Sequence, residues 1–255
     1  MVIFYAFCRT VDDIADDKEI PLARRRESLD LWKEGIENGF PNENRLGQEL
    51  SEMIGRRGIN PRFLIEIIEG CTMDLETQRF GSWEELMKYN WKVAGVVGLV
   101  STRIFGCVHE GSDRYAKALG NALQLTNILR DVGEDLANGG RIYLPENDII
   151  RFQYSERDLI GRVYDGRFIS MMRYQAERAE YLFEEAAKLI PAVDEKALRP
   201  ARIMAEVYRC LLLKMKADDF KVFEKRYSVS KVRKLTILFK YFFACHRHSD
   251  VKPRS

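Results

Sequence analysis

The stretch Leu119-Gly120-Asn121-Ala122-Leu123-Gln124-Leu125-Thr126-Asn127-Ile128-Leu129-Arg130-Asp131-Val132-Gly133-Glu134-Asp135 decides how this 255-residue chain is read. Leu123, Leu125, Ile128, Leu129 and Val132 recur at the spacing of a buried helix, while Gln124, Asn127, Asp131 and Asp135 form one polar stripe along it. A polar stripe on an apolar helix faces a cavity or an ion more often than bulk water. Carboxylates one helical turn apart repel by roughly 0.2 to 0.5 kcal/mol, and apolar surroundings raise the cost of keeping both ionised. A hard divalent cation with oxygen ligands answers that arrangement, and Mg2+ in particular bridges a few carboxylates to substrate phosphates.

The same device is written a second time in Asp12-Asp13-Ile14-Ala15-Asp16. Tyr5, Arg9 and Asp12 or Asp13 precede it at three and four spacing and share its helix face. An isolated aspartate pair usually marks a solvated surface. Here the aromatic and aliphatic run Val2 to Cys8 and the recurrence of the pattern favour a metal-diphosphate site. Gly139-Gly140-Arg141-Ile142-Tyr143-Leu144-Pro145 forms a stiff basic turn that aims Arg141 back at the acidic helix, where a guanidinium matches phosphate oxygens. Arg130 is either a second such group or an ion pair within its own helix.

Composition bounds the setting. With 46% hydrophobic residues the chain can bury a large core, and a formal charge of +2 gives no electrostatic case for nucleic acid. Cys8, Cys71, Cys107, Cys210 and Cys245 are scattered and form no CxxC pair, which points to reduced thiols in the cytoplasm and argues against zinc. No signal-peptide pattern precedes the first acidic cluster. The apolar run Val93 to Val100 is cut by Ser101, Thr102 and Arg103, short of the roughly 20 residues that span a bilayer. Val229 to Arg247 mixes Leu235, Ile237, Leu238, Phe239, Tyr241, Phe242 and Phe243 with Lys231, Arg233, Lys234, Lys240 and Arg247. It reads either as a terminal helix packed on the core or as a peripheral contact with the inner face of a membrane.

Three-and-four apolar spacing dominates the chain, which predicts an all-α bundle of roughly eight to ten helices folded as a single domain over residues 1–255. Pro21 and Pro61 suit first helical turns, and Ser82-Trp83-Glu84-Glu85 reads as a capping box opening a helix that carries Tyr89 to Cys107. Breaks are expected at Gly39 to Asn44, Gly58 to Pro61, Gly111 to Asp113 and Gly139 to Pro145. The small residues Ala94, Gly95 and Gly98 either leave room for a substrate tail, the preferred reading, or let helices pack closely. The sequence fixes no oligomeric state.

The run from Leu119 to Asp135, followed by Arg141-Ile142-Tyr143-Leu144-Pro145, resembles the signature of the squalene and phytoene synthase family. Tyr5-Ala6-Phe7-Cys8-Arg9 with Asp12, Asp13 and Asp16 is similar to that family's first aspartate-rich motif, and Tyr89 with Val93-Ala94-Gly95-Val96-Val97-Gly98 to its substrate-cavity helix. The likeness runs from Val2 to about Leu235 and implies an isoprenoid synthase-type helical bundle around a central cavity. It implies head-to-head coupling of two prenyl diphosphates through a cyclopropyl diphosphate. Asp12, Asp13, Asp16, Asn127, Asp131 and Asp135 would hold Mg2+, with Mn2+ as the alternative ion. Arg9 and Arg141 would bind diphosphate, Gln124 would support the second motif, and Tyr5, Tyr89 and Tyr208 would sit near the reacting carbons. Arg130, Tyr143, Val93, Val97 and Arg226 complete the implied substrate contacts, and Phe4, Phe7 and Leu123 join the implied cavity lining. Asp74 falls where the family keeps an acidic residue and is equally suited to a supporting or helix-capping role.

Two departures accompany the resemblance. Family members usually carry some tens of residues before the first motif, and the late basic position used against diphosphate falls on Lys225 or Arg226. The stretches Met73 to Leu75, Val96 to Leu99 and Arg103 to Gly106 lean slightly toward the branch that uses farnesyl diphosphate over a phytoene synthase using geranylgeranyl diphosphate. Lack of a Gly-x-Gly-x-x-Gly fingerprint excludes a Rossmann module and leaves reduction by NADPH open. A ferritin-like di-metal protein is disfavoured because His109, His246 and His248 have no glutamate three residues before them. A terpene cyclase or chain-elongation enzyme accounts for the first motif and not the second, and a non-catalytic assembly-type relative has no need of both aspartate pairs.

Overall fold

Helices begin where the sequence writes their caps. In the computed structural model, which describes residues 1–76 and 79–243 and side chains as far as Tyr241, the order is α1 (Val2–Asp16), α2 (Leu22–Asn38), α3 (Arg45–Arg57), α4 (Pro61–Met73) and α5 (Trp83–Asn90). A π-helical turn (Trp91–Gly95) joins α5 to α6 (Val96–Phe105). Then follow α7 (Gly111–Ala137), α8 (Glu146–Arg151), α9 (Glu156–Ile160), α10 (Gly166–Lys188), α11 (Arg199–Ala217) and α12 (Lys231–Phe243). No strand occurs among the described residues. Cys245, His246, Arg247 and His248 lie outside them, as do the side chains of Phe242 and Phe243. The helical segments outnumber the expected count because α5 and α6 are one rod interrupted by the π turn, and α8 and α9 are short.

Asn44 Oδ1 accepts from the Gly47 N–H at 2.8 Å and Asn60 Oδ1 from the Arg62 N–H at 2.9 Å, the latter with Pro61 in the first turn of α4. Ser82 Oγ accepts from the Glu85 N–H at 3.3 Å, and the Glu85 carboxylate accepts from the Gly81 N–H at 2.8 Å, one residue earlier than a capping box requires. The break expected at Gly111 to Asp113 is instead the first turn of α7. The chain reverses at Gly106, where φ is +80°, and α7 is started by a remote carboxylate. Asp194 accepts from the N–H groups of Val108 and His109 and from Ser112 Oγ at 2.7 Å.

α7 is the central rod, touching α5, the π turn, α6, α10 and α11. Its contact with α6 is antiparallel and close. A Cβ at Gly98 would lie 2.8 Å from the Ala116 carbonyl oxygen, and one at Gly120 would lie 2.7 Å from that of Ala94. Gly98 therefore serves close helix packing and not a substrate tail, contrary to the reading preferred from sequence, while at Ala94 it is the backbone carbonyl that Gly120 accommodates. Space beside Gly95 is filled by the Trp91 ring, 2.7 Å from where its Cβ would stand.

The apolar interior divides in two. Phe4, Phe7 and Val11 of α1 pack with Leu29, Leu50, Leu64 and Ile68 and with Val96, Val100 and Ile104. A larger cluster joins Tyr89 and Tyr143 to Leu125, Leu129, Phe168, Met172 and Leu212. Phe4 and Phe7 are 1% and 0% exposed, and Phe7 packs against the Trp32 ring at 5.6 Å. They belong to the tight packing of α1 on its neighbours, so the cavity-lining role expected for them is corrected to a core role. Val93 packs against the larger cluster and Val97 against the smaller, placing both where the two meet. No helix among the described residues is long and apolar enough to cross a membrane.

A Cβ at Gly133 would stand 2.3 Å from the Val222 carbonyl oxygen, whereas one at Gly55, in α3, meets nothing within 4 Å. Gly133→Ala should lower the unfolding free energy by about 1–3 kcal/mol, and Gly55→Ala should raise it by about 0.4–1 kcal/mol. Urea denaturation reads both, and a Gly133→Ala protein as stable as its parent would contradict the close approach.

Candidate active site

Three helices end at one place. α1 finishes with Asp12, Asp13 and Asp16 in its last turns, α7 with Asp131, Glu134 and Asp135, and Asp74 is the C-cap of α4. The C-terminus of a helix is the negative end of its dipole, where a carboxylate is disfavoured by about 0.3–1 kcal/mol. Arginines gather against this accumulation of negative charge. Arg141, only 14% exposed, donates from Nη1 to Asp16 at 2.9 Å and from Nη2 to the Asp74 carbonyl at 3.0 Å. The turn after α7 thus returns Arg141 to the acidic helix. Gly139 and Gly140, at φ +107° and +69°, make that return, and Arg79 Nη1 holds the Gly140 carbonyl at 2.8 Å.

At the rim, Arg9 pairs with Asp13 at 2.6 Å and Asp12 at 3.3 Å, all three side chains half-exposed. Arg130 pairs with its neighbour Asp131 and contacts Tyr208, so the intrahelical ion pair is present. Arg226 Nε reaches Asp131 at 3.3 Å and Glu134 at 3.2 Å, while Lys225 pairs with Asp218. Of the two basic residues between which the sequence leaves the register open, Arg226 is the one that faces the acidic end of α7.

Behind the rim, Asp74 accepts from Tyr89 Oη at 2.8 Å and Tyr143 Oη at 2.9 Å. The two rings lie 5.4 Å apart and both pack on Phe80, at 5.3 and 6.0 Å. Burial pushes the Asp74 carboxyl up to about 6, against the two tyrosine hydrogen bonds that hold it down. Burial and then Asp131 push Asp135 up to about 7, with Arg141 opposing. Asp12 is raised by burial and by Asp16. Leu123, Gln124 and Asn127 are part-buried on α7, and Tyr208 is part-buried on α11. Tyr5 is 68% exposed on α1 and is not gathered with the other tyrosines. Sequence reading gave Phe80 no role and could not join Asp74 to Tyr89 and Tyr143, because their spacing is tertiary and not periodic.

The donor set suits a hard divalent cation. Every group is an oxygen, and Asn127 Oδ1 is buried without a hydrogen-bond partner. Among the described residues no three Asp, Glu, His or Cys side chains converge closely enough to enclose an ion, and arginines partner several of the carboxylates.

All-helical architecture with an acidic, arginine-rimmed end defines an isoprenoid synthase-type bundle. The sequence profile of squalene/phytoene synthase matches residues 1–233. A 15-cis-phytoene synthase of Synechocystis sp. is 36% identical over 250 residues, covering 92% of this chain and 73% of that one. A dehydrosqualene synthase solved in complex with ligand superposes with a TM-score of 0.82 at 28% identity, over 96% of this chain and 86% of the other. The squalene synthase HpnC from Alicyclobacillus acidocaldarius gives 0.73 at 27% identity, over 86% and 82% of the two chains. The chain belongs to the squalene/phytoene synthase family, a family of prenyltransferases.

The fold raises the pKa of Asp135 above its ordinary 3.8, so it favours the neutral form; that stability is complete below about pH 4 and is lost as pH rises through about 7. In protein free of divalent ions, Asp135→Asn should match the parent near pH 4 and exceed it at pH 8 by on the order of 2 kcal/mol. Urea denaturation across that range checks the sign, and a variant with no gain at pH 8 would contradict the strained carboxylate.

Proposed function

We propose that residues 1–255 act as one transferase domain that joins two prenyl diphosphates head to head through a cyclopropyl diphosphate. The observation that carries this reading is the meeting of three carboxylate-bearing helix ends with Arg9, Arg130, Arg141 and Arg226, beside a dry aromatic interior. Mg2+, or Mn2+ in its place, would be held by Asp12, Asp13, Asp16, Asn127, Asp131 and Asp135, and supplies neutralisation of the diphosphate leaving groups. The four arginines bind diphosphate oxygens, for which their planar forks are suited. Each already partners a carboxylate, so diphosphate binding exchanges one anionic partner for another. Tyr89 and Tyr143, fixed by Asp74, present aromatic faces that stabilise an allylic cation and exclude the water that would quench it. Tyr208 and Val93 pack against the larger apolar cluster and Val97 against the smaller, and Gln124 would support the second motif. Tyr5 would join the site only through its exposed position on the rim helix.

The residue pattern leans toward farnesyl diphosphate, but curated relatives such as the 15-cis-phytoene synthases at 36% and 35% identity support geranylgeranyl diphosphate. We place the C20 substrate first. Incubation with Mg2+ and either substrate, with and without NADPH, followed by mass spectrometry of extracted lipids, is expected to give phytoene or its cyclopropyl precursor from the C20 diphosphate. Asp12→Asn and Asp131→Asn should each lower turnover by about 100-fold or more while the protein stays folded. A cyclic or linear alcohol in place of a coupled hydrocarbon would overturn the head-to-head reading, and squalene-type products would move the substrate to C15.

A further inference from the structure

Between α11 and α12 the chain carries Arg226 on a segment, residues 218–227, whose backbone is strained. Asp219 and Phe220 stand at φ +50° and +57°, a left-handed conformation that is unfavourable for any residue with a Cβ and an outlier for one as bulky as phenylalanine. Such a turn persists only where its surroundings over-determine it. Phe220 is 0% exposed within the larger apolar cluster, and its N–H donates to the Met215 carbonyl at 2.9 Å. The Asp219 carbonyl accepts from Tyr164 Oη at 2.8 Å, and its carboxylate pairs with Arg173. Further along, the Phe223 ring packs on Phe168 at 4.6 Å, and the Val222 carbonyl is seated against Gly133 of α7.

Tyr227 closes the segment on itself. Its Oη donates to Asp218 at 2.8 Å and accepts from the Lys221 N–H at 3.0 Å, tying the last residue of the segment to the first. Asp218 also pairs with Lys225, whose Nζ stands 5.2 Å from the centre of the Tyr227 ring. Lys225 is thereby turned toward Asp218, and its neighbour Arg226 points the other way, with Nε 3.3 Å from Asp131 and 3.2 Å from Glu134. The Arg226 side chain is 56% exposed, so its own packing does little to hold it. The backbone beneath it decides where it points.

We propose that Tyr227 is a positioning residue for Arg226: by clasping Asp218 and the Lys221 N–H it holds the strained turn closed and aims the guanidinium at the carboxylate end of α7. The aiming stands on the contacts of the segment itself. Its use rests on the proposed activity, in which Arg226 is one of the groups that bind diphosphate. A side chain whose backbone is fixed in advance loses less freedom when the anion arrives, so stability given up in the turn returns as affinity.

Nitrogen-15 NMR of the Arg226 Nε–H group, identified by its loss in Arg226→Lys, reads the aiming in the free protein. Tyr227→Phe keeps the ring and removes both closing hydrogen bonds, and it should speed exchange of that proton with water by about tenfold or more. Tyr164→Phe, which frees the Asp219 carbonyl, should shift the exchange in the same direction and decides the matter if Tyr227→Phe does not fold. Calorimetry with inorganic diphosphate and Mg2+ reads the use. Tyr227→Phe should weaken binding by about tenfold in the parent and leave it unchanged in an Arg226→Ala background, where no guanidinium remains to be aimed. Unchanged Nε exchange in the folded tyrosine variants would overturn the proposal. So would an equal loss of diphosphate affinity with and without Arg226, because a tyrosine that merely supports the fold acts whether or not the arginine is present. Diphosphate binding that survives Arg226→Ala, alongside faster Nε exchange in Tyr227→Phe, would uphold the aiming and count against the catalytic reading of Arg226 alone.

Discussion

Convergence of three negative helix ends on Arg141 is the constraint on which the rest of this structure depends. α1, α4 and α7 each bring the unfavourable pole of a dipole to the same place, and each adds carboxylates there. A fold gains nothing in stability from this arrangement. Arg141, nearly buried, offsets part of it by binding Asp16 and the final carbonyl of α4 together. The remainder shows in Asp74 and Asp135, whose carboxyls are pushed to about 6 and about 7, chiefly by burial. Charge held at such a cost is what a divalent cation would relieve, and that cost favours a functional reading over a solvated surface.

Several structural details follow from the need to hold those ends in register. α7 is long because it spans the bundle from Asp194, which starts it, to Asp135, which finishes it. Glycines at 98, 120 and 133 let backbones approach within side-chain distance along that rod, fixing its position against α6 and the segment around Val222. Tyr89, near the end of α5, faces Asp74, and Trp91, which opens the π turn, donates from Nε1 to Glu66 at 3.0 Å. Two side chains close in sequence thereby tie this rod to α4, one at its C-cap and one within the helix. Phe80 closes the aromatic group around Tyr89 and Tyr143.

What periodicity can encode was legible. The polar stripe Gln124, Asn127, Asp131 and Asp135, the helical class of the fold, the cap at Ser82, Pro61 in a first helical turn and the return of Arg141 all depend on residues near one another in the chain. Other features depend on partners that local spacing cannot name. Asp74 meets Tyr89 and Tyr143 across 15 and 69 positions, and Asp194 starts α7 from 82 positions beyond Ser112. A small residue such as Gly98 suits either room for a tail or close packing, and only the position of Ala116 separates the two. Phe4 and Phe7 look like cavity lining beside an acidic motif, but their helix turns them toward Trp32 and α2 to α4. The choice of Arg226 over Lys225 needed the turn before α12, whose path carries no repeat.

The most direct test of the central claim is calorimetric titration of the folded chain with a thiodiphosphate analogue of geranylgeranyl diphosphate, in the presence and absence of Mg2+. Two acidic helix ends that share one basic rim predict two analogue molecules bound per chain, both requiring Mg2+. A single Mg2+-dependent molecule per chain, or binding that ignores the ion, would contradict the account of a doubled site created by acidic helix ends.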